Sequence, residues 1–257
     1  MTLLQRNSRN VQLTAAGKVL LREGKRTLAQ SRRAVQATRA AGAPEVTVGF
    51  YGSAGTWLLP QVLCGFEERL PMVQVTVREL LLGSLDEILD GSVDLAFTRL
   101  VPGQTELVVE ILAREPRLVA LPSSHPLAGE DTLTFADLRS ESFIINPATK
   151  SDEPPSRWLT EQRRHGLRGQ VAAVATSVQE ILALVAAGRG VCVVPAAVAR
   201  HHPRPDIAYR PVIDAEPAVV SLARRPGNIS PAADVFIAVA RQVAANAEVN
   251  LAPPIQV

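Results

Sequence analysis

Two hydroxyl side chains, those of Ser53 and Thr56, lie in a run of small residues between two apolar segments. The stretch is VTVGFYGSAGTWLLP, from Val46 to Pro60. It is typical of a strand, a turn and the start of a helix, where backbone amides are not yet bonded and the helix dipole favours an anion. Two interpretations are open: an anion-binding loop, or a tight βα loop with a Ser or Thr cap.

A nucleophilic role for Ser53 is not favoured. The nucleophile elbow of hydrolases needs Gly two residues before the serine, and Tyr51 stands there. The four histidines lie near Pro, Gly or charged turns, where surface positions are usual. We therefore do not expect an enzyme.

Composition indicates an ordinary globular protein with one large or two small domains. The chain has 257 residues, and only 4% of them are aromatic, which argues against a base-stacking platform for nucleic acids. Cys64 and Cys192 lie in apolar runs and are expected to be buried thiols. Because no Cys and His cluster has ligand spacing, neither a metal nor another cofactor is expected.

Positive charge is concentrated at the start of the chain. Residues 1–40 contain nine Lys or Arg and one Glu, a net +8, whereas the remainder is −6. Such a segment suits the phosphates of DNA, although a solvated helix face is the alternative. No apolar run approaches the roughly 18 residues of a membrane span, and no signal peptide is recognisable, so we expect a cytoplasmic protein without membrane contacts.

The first 40 residues predict a two-stranded tip followed by one long helix. Residues 3–10 are basic and rich in turn formers, and they lead into a short alternating piece at 11–13. Thr14 is placed as an N-cap, and the helix should run to about Arg39. An apolar stripe that includes Leu20 and Leu28 indicates a partner helix.

After a break at 40–44, strands and helices alternate, which predicts an α/β fold with a mainly parallel sheet. The expected strands are 46–50, 73–80, 93–99, 107–112, 117–121, 142–147, 170–175, 190–195, 207–212 and 219–225. The expected helices are 57–69, 84–89, 135–139, 155–165, 177–187, 195–199 and 231–246.

The ordered set of motifs resembles the LysR-type transcriptional regulators over almost the whole chain. RNSRNVQLTAAGKVLL is similar to the wing and the start of the linker helix of that family. The later segments follow in the same order: VTVGFYGSAGTWLLP, FEERLPMVQVTVREL, LDEILDGSVDLAFTR, LVALPSSHPLA, FADLRSESFI and VAAGRGVCVVP.

The resemblance implies a DNA-binding regulator with a winged helix-turn-helix, a linker helix that forms a homodimer or homotetramer, and a two-lobed effector domain of the periplasmic-binding-protein type (type 2). Crossing segments are expected near 118–122 and 219–224. The implied units are a wing remnant at 1–13, the linker helix at 14–41, lobe I at 46–121 with 222–247, and lobe II at 122–221.

The sequence begins at the wing of this pattern. We therefore expect most of the helix-turn-helix, including the recognition helix, to be missing, either because the true start lies upstream or because this is a truncated relative. Arg6 and Arg9 remain as candidate DNA contacts.

The resemblance also implies an effector site in the cleft between the lobes. Carboxyl ends of parallel strands are where open α/β sheets bind ligands, which supports this independently. The implied residues are Ser53, Ala54, Gly55 and Thr56 in the first loop, Gly83 and Ser84 after the second strand, Thr98 and Arg99 after the third, and Asn146 and Ser177 across the cleft.

Arg99 is the one cation in this set, so a small organic acid is the expected effector. The alternative is that Arg99 braces the lobe by pairing with an acid such as Glu79 or Asp94. A solute-binding protein of the same two-lobed fold without a DNA-binding role is the other function considered.

Overall fold

The computed structural model describes residues 1–6, 11–21, 23–24, 27–28, 31, 44–82, 84–103, 105–146, 171–227 and 229–248. The first described unit is an antiparallel hairpin of β1 (Leu4–Arg6) and β2 (Val11–Leu13). A helix, α1, follows from residue 15, with helical residues described as far as 31. The predicted end of this helix, at 39, lies outside the described residues.

Thr14 joins the hairpin to α1. Its amide donates to the carbonyl of Leu3 at 3.0 Å, and its hydroxyl accepts from the amide of Gly17 at 3.0 Å. A Cβ at Gly17 would lie 2.1 Å from the Leu3 carbonyl oxygen. The predicted N-cap is therefore confirmed, and the close approach of the first strand explains the glycine.

The first lobe is built on a five-stranded sheet of order β4-β3-β5-β12-β6. β3 is parallel to β4 and to β5, whereas β12 runs antiparallel to β5 and β6. The strands are β3 (Glu45–Tyr51), β4 (Gln74–Leu80), β5 (Leu95–Thr98), β6 (Val108–Glu115) and β12 (Ala218–Arg224).

Three helices complete the first lobe: α2 (Leu59–Arg69), the short α3 (Asp86–Leu89) and the C-terminal α6 (Pro231–Glu248). Phe66 of α2 and Phe236 of α6 pack together, with ring centroids 5.5 Å apart. Phe97 of β5 lies 6.4 Å from Phe236. The C-terminal helix thus packs in the core of the first lobe.

The second lobe contains an antiparallel sheet of order β10-β7-β11 and a parallel pair, β8 and β9. Its helices cover an apolar core that includes Leu182 and Val185. Its elements are β7 (Arg117–Pro122), β8 (Phe143–Ile145), β9 (Val171–Val174), α4 (Val178–Ala186), β10 (Cys192–Pro195), α5 (Ala196–His201) and β11 (Ile207–Pro211).

The chain passes between the lobes a few residues from the expected positions. Strand β7 is hydrogen-bonded on both sides, to β10 and β11, so its backbone belongs to the second lobe and the first crossing is at Pro116. Strand β12 lies between β5 and β6, so the return crossing precedes Ala218.

Three expectations are wrong. The sheets are mixed and not mainly parallel, because β12 and the whole β10-β7-β11 sheet are antiparallel. Residues 135–139 form turns, not a helix, with the Thr134 hydroxyl donating to Asp137 at 2.6 Å. Cys64 is exposed on α2, whereas Cys192 is buried, and burial raises the pKa of its thiol to about 12. The helix expected at 155–165 lies outside the described residues.

Within the described ranges, no helix is both long and apolar enough to cross a membrane. Over the same residues, no group of three or more His, Cys, Asp or Glu side chains is arranged to hold a metal ion.

Gly55 is expected to be required by both its backbone and its neighbour. Its φ is +71°, and a Cβ there would lie 2.3 Å from the ring of Phe97. We predict that Gly55→Ala lowers the free energy of unfolding in urea by more than about 2 kcal/mol, since left-handed strain alone costs about 1–2 kcal/mol.

Gly188→Ala is the matched control, because Gly188 has a φ of +67° and nothing within 4 Å of an added Cβ. The change in the free energy of unfolding of Gly188→Ala therefore measures the cost of the left-handed backbone alone. Equal losses in the two variants would show that the contact with Phe97 is unimportant.

Candidate functional site

The loop after β3 places Ser53 and Thr56 at the carboxyl end of the first-lobe sheet. Helix α2 has Leu58 at its N-cap and no side-chain cap, so the interpretation of this loop as a Ser or Thr cap is wrong. The Thr56 hydroxyl instead donates to the carbonyl of Ser53 at 3.2 Å. In the described part of the chain, the amides of Gly55 and Thr56 make no hydrogen bond.

At this loop, Ala54 and Gly55 can contact a ligand only through their backbone groups. Ala54 is fully buried in the core of the first lobe, and its amide donates to the carbonyl of Tyr51 at 3.0 Å. Gly55 lies directly against Phe97. Their expected part in a site is therefore restricted to their N–H and C=O groups.

Arg99 follows β5 and reaches three acceptors. Its Nη2 donates to the hydroxyl of Ser53 at 3.0 Å, and its Nη1 donates to the carbonyl of Val219 at 3.1 Å. Nη1 also lies 2.7 Å from Oε1 of Glu115. Because the Ser53 hydroxyl is bonded to a cation and not to a base, the geometry gives no support to a nucleophilic serine.

Glu115 is the acid that pairs with Arg99, in place of the Glu79 or Asp94 considered from the sequence. It is the last residue of β6, and only 3% of it is exposed. Its Oε2 accepts from the amide of Ala197 at 2.7 Å, at the start of α5 in the second lobe. One buried carboxylate therefore joins the first loop, through Arg99, to the second lobe.

Arg99 retains donors beyond these contacts. A guanidinium has five N–H groups, of which Nη1 gives one to the carbonyl of Val219 and Nη2 gives one to the hydroxyl of Ser53. The contact of Nη1 with Oε1 of Glu115 is an ion pair without a hydrogen bond. Nε–H and the second N–H of Nη2 have no acceptor among the described residues. About a quarter of the side chain, 24%, is exposed.

The hydroxyl of Thr98 is hydrogen-bonded within the first lobe. It lies 2.8 Å from that of Ser221 on β12, and both residues are buried. The same oxygen accepts from the amide of Leu100 at 3.3 Å. Thr98 therefore fixes β5 against a crossing strand.

On the second-lobe side, Asn146 and Ser177 lie at one edge, because β8 and β9 are parallel and end together. The amide of Ala175 donates to the carbonyl of Ile145 at 2.9 Å. Ser177 is the N-cap of α4, and its hydroxyl accepts from the amide of Glu180 at 3.2 Å. The predicted cap is confirmed.

The other residues predicted from the sequence to bind the effector or DNA are Gly83, Ser84, Arg6 and Arg9. The Ser84 hydroxyl accepts from the amide of Asp86 at 3.1 Å, next to α3. Gly83 lies outside the described residues, as does Arg9. Arg6 is in β1 opposite Val11, in the hairpin and not in the cleft.

Two ionisable groups near the cleft have shifted pKa values. Burial raises the pKa of the Tyr51 phenol, and Glu87 adds to this effect. Burial lowers the pKa of His201, with Arg200 adding to the shift and Glu115 opposing it.

Sequence reasoning missed Glu115, Ser221 and Leu82. The amide of Leu82 donates to the carbonyl of Thr176 at 3.1 Å, which joins the two lobes. The one available signal for Glu115 was a carboxylate at the end of an apolar strand, next to Pro116. Nothing in the sequence singles out Ser221 or Leu82.

The family model described as "LysR substrate binding domain" matches residues 39–245. The chain belongs to the LysR family of transcriptional regulators. The HTH-type transcriptional regulator CatR of Pseudomonas putida is 30% identical to this LysR-family protein over 234 residues, 90% of this chain and 80% of CatR.

Solved structures of LysR-family proteins have the same fold. Full-length CbnR complexed with its target DNA is 25% identical, with a TM-score of 0.63, over 95% of this chain and 84% of CbnR. The BenM effector-binding domain with its effector benzoate is 25% identical, with a TM-score of 0.65, over 83% of this chain and 97% of that domain. The predicted two-lobed fold and family are thus confirmed, and a solute-binding protein is not favoured.

Because the buried Glu115 carboxylate forms an ion pair with Arg99 and accepts from the amide of Ala197, Glu115→Ala should destabilise the protein strongly. We predict a loss of roughly 3 kcal/mol in the free energy of unfolding, since breaking a buried pair leaves an uncompensated charge. Urea unfolding measures it.

Glu110→Ala is the matched control, because Glu110 pairs with Arg241 at the surface of the same lobe. The free energy of unfolding of Glu110→Ala should fall by no more than about 1 kcal/mol. Similar losses for both variants would refute the special role of the buried carboxylate.

Proposed function

We propose that this LysR-family protein regulates transcription by binding DNA and that it senses a small organic anion in the cleft between its lobes. The observation that carries the proposal is the Nε and Nη2 edge of Arg99. Nη2 of this edge lies 3.0 Å from the Ser53 hydroxyl, and the amides of Gly55 and Thr56 in the same loop make no hydrogen bond to the described residues.

Two other arginines of this protein bind carboxylates through their Nε and Nη2 edge. Nε and Nη2 of Arg204 donate to the two oxygens of Asp206 at 2.9 and 2.7 Å. Arg241 uses the same two nitrogens for Glu110. Because Glu115 holds the other side of Arg99, the guanidinium is fixed in place for a bidentate contact with an effector carboxylate.

The remaining polar groups would complete such a site from both lobes. On the first lobe we propose the hydroxyls of Ser53 and Thr56, with the amides of the loop. Across the cleft we propose the side chains of Asn146 and Ser177. Gly83, Ser84 and Thr98 remain lesser candidates from the family pattern.

The relatives support an organic acid as the effector class. Benzoate, the effector bound by the BenM domain, is a small carboxylate. In this proposal the protein has no enzymatic role, and the polar groups of the cleft only bind.

DNA binding and self-association would depend on the N-terminal hairpin and α1. The CbnR structure contains its target DNA, and we propose Arg6 and Arg9 of the hairpin as phosphate contacts here. Leu20 and Leu28 of α1 are 51% and 61% exposed, which supports a homodimer, or a tetramer built from dimers, through this helix. Acting on DNA would also place the protein in the cytoplasm.

Regulation requires that the effector bind two states of the protein unequally. An anion at Arg99 lies next to the contact from Glu115 to Ala197, which crosses between the lobes. We propose that effector binding changes how the lobes are held and thereby the arrangement of paired subunits on DNA.

The proposal predicts binding of acids and not of their neutral analogues. Benzoate, succinate and citrate are compared with benzamide and succinamide by thermal shift and calorimetry on the full chain. We expect at least one acid to bind, and Arg99→Gln to weaken that acid by about tenfold or more, since a charge-assisted bidentate contact exceeds 1.4 kcal/mol.

Arg204→Gln is the control, because Arg204 pairs with an exposed acid elsewhere in the second lobe. It should leave the affinity unchanged. Equal binding of acids and amides, no binding of any acid, or an unchanged affinity in Arg99→Gln would each count against the anionic effector.

A further inference from the structure

The two lobes also meet at the side of the cleft away from the crossing segments. The amide of Leu82 donates to the carbonyl of Thr176 at 3.1 Å. Leu82 follows β4, which is an edge strand of the first-lobe sheet. Strand β12 is three places away in that sheet, so the two strands are about 14 Å apart at the usual strand spacing. Thr176 follows β9, which pairs with β8 and not with the crossing strand β7.

The side chain of Leu82 packs against both lobes. It contacts the second-lobe core that contains Val178, and it also contacts the first-lobe cluster around Tyr51. A Cβ at Gly52 would lie 3.1 Å from Val178 and 3.3 Å from Leu82. Leu82 therefore lies where the loop after β3 meets the start of α4.

The second-lobe side of this contact is held by a reciprocal cap. The amide and hydroxyl of Thr176 donate to the Glu180 carboxylate at 2.7 and 3.1 Å. The Ser177 hydroxyl accepts from the amide of Glu180 at 3.2 Å. These bonds fix the peptide whose carbonyl receives Leu82.

We propose that Leu82 is a positioning residue that holds the lobes together at the far edge of the cleft. Its amide and side chain act there, while Glu115 joins the lobes near the crossing segments. Together the two contacts set the separation of the cleft walls. The relevance of Leu82 to effector binding rests on the proposed function, but the contact itself exists without an effector.

Amide hydrogen exchange on the full chain, without added ligand, tests this directly. We expect the Leu82 amide to exchange at least about tenfold more slowly than an unprotected amide, because exchange requires the lobes to separate locally. Leu82→Ala should reduce that protection about tenfold and should also speed exchange across the cleft at Thr176 and Glu180, whose amides are hydrogen-bonded in the cap.

Leu81→Ala is the matched control, since the adjacent Leu81 is 62% exposed. Leu81→Ala should leave amide exchange unchanged both at Leu82 and across the cleft. Leu82→Met should keep the Leu82 amide protected, because methionine restores the packing. The amides of Val119 and Ala120 in β7 report global unfolding, and their protection should stay constant.

An unprotected Leu82 amide in the wild-type protein would overturn the proposal, as would a Leu82→Ala variant with unchanged exchange at Thr176 and Glu180. If Leu82→Ala unfolds, the wild-type and Leu82→Met measurements decide alone. The result does not depend on finding an effector, so a failure here is distinguishable from a failure of the organic-acid proposal.

Discussion

The buried ion pair of Arg99 and Glu115 is the interaction on which the arrangement of the cleft depends. A carboxylate removed from water is costly unless it is paired with a cation and hydrogen-bonded. Oε1 of Glu115 lies 2.7 Å from Nη1 of Arg99 in an ion pair without a hydrogen bond, and Oε2 accepts from the amide of Ala197 at 2.7 Å. Compensating one charge therefore fixes three segments: the end of β5, the end of β6 and the start of α5.

This constraint determines how Arg99 can act. Because Nη1 is held by Glu115 and Val219, the guanidinium cannot turn freely, and its Nε and Nη2 edge keeps one direction. A site that is fixed before binding loses less conformational entropy when a ligand arrives. The price of such fixing is that the positive charge of Arg99 is already partly compensated, so affinity must also come from the loop amides and the Ser53 hydroxyl.

Local patterns predicted the elements that carry the site. The strand, turn and helix around Ser53 follow from an apolar run, small residues and a second apolar run, and the cap at Ser177 follows from its position before an apolar helix. Contacts between distant residues could not be predicted this way. Glu115 is 16 residues from Arg99 and 82 from Ala197, and only folding brings them together.

The same limit explains a missed contact and a local error. The partner of the Thr98 hydroxyl is Ser221, which lies 123 residues away in the chain, so the sequence around Thr98 could not reveal it. Cys64 lies in an apolar run, yet α2 turns it outwards because Val62 and Phe66 occupy the buried face. Periodicity defines faces, whereas tertiary contacts decide which face is covered.

The most direct test of the account is a double-mutant cycle between Arg99 and Glu115. Urea unfolding of Arg99→Gln, Glu115→Gln and the double variant gives the coupling energy of the pair. The account predicts a favourable coupling of at least about 1.5 kcal/mol, in the range found for contacting residues of one network. A coupling below about 0.3 kcal/mol, the level of independent sites, would contradict it.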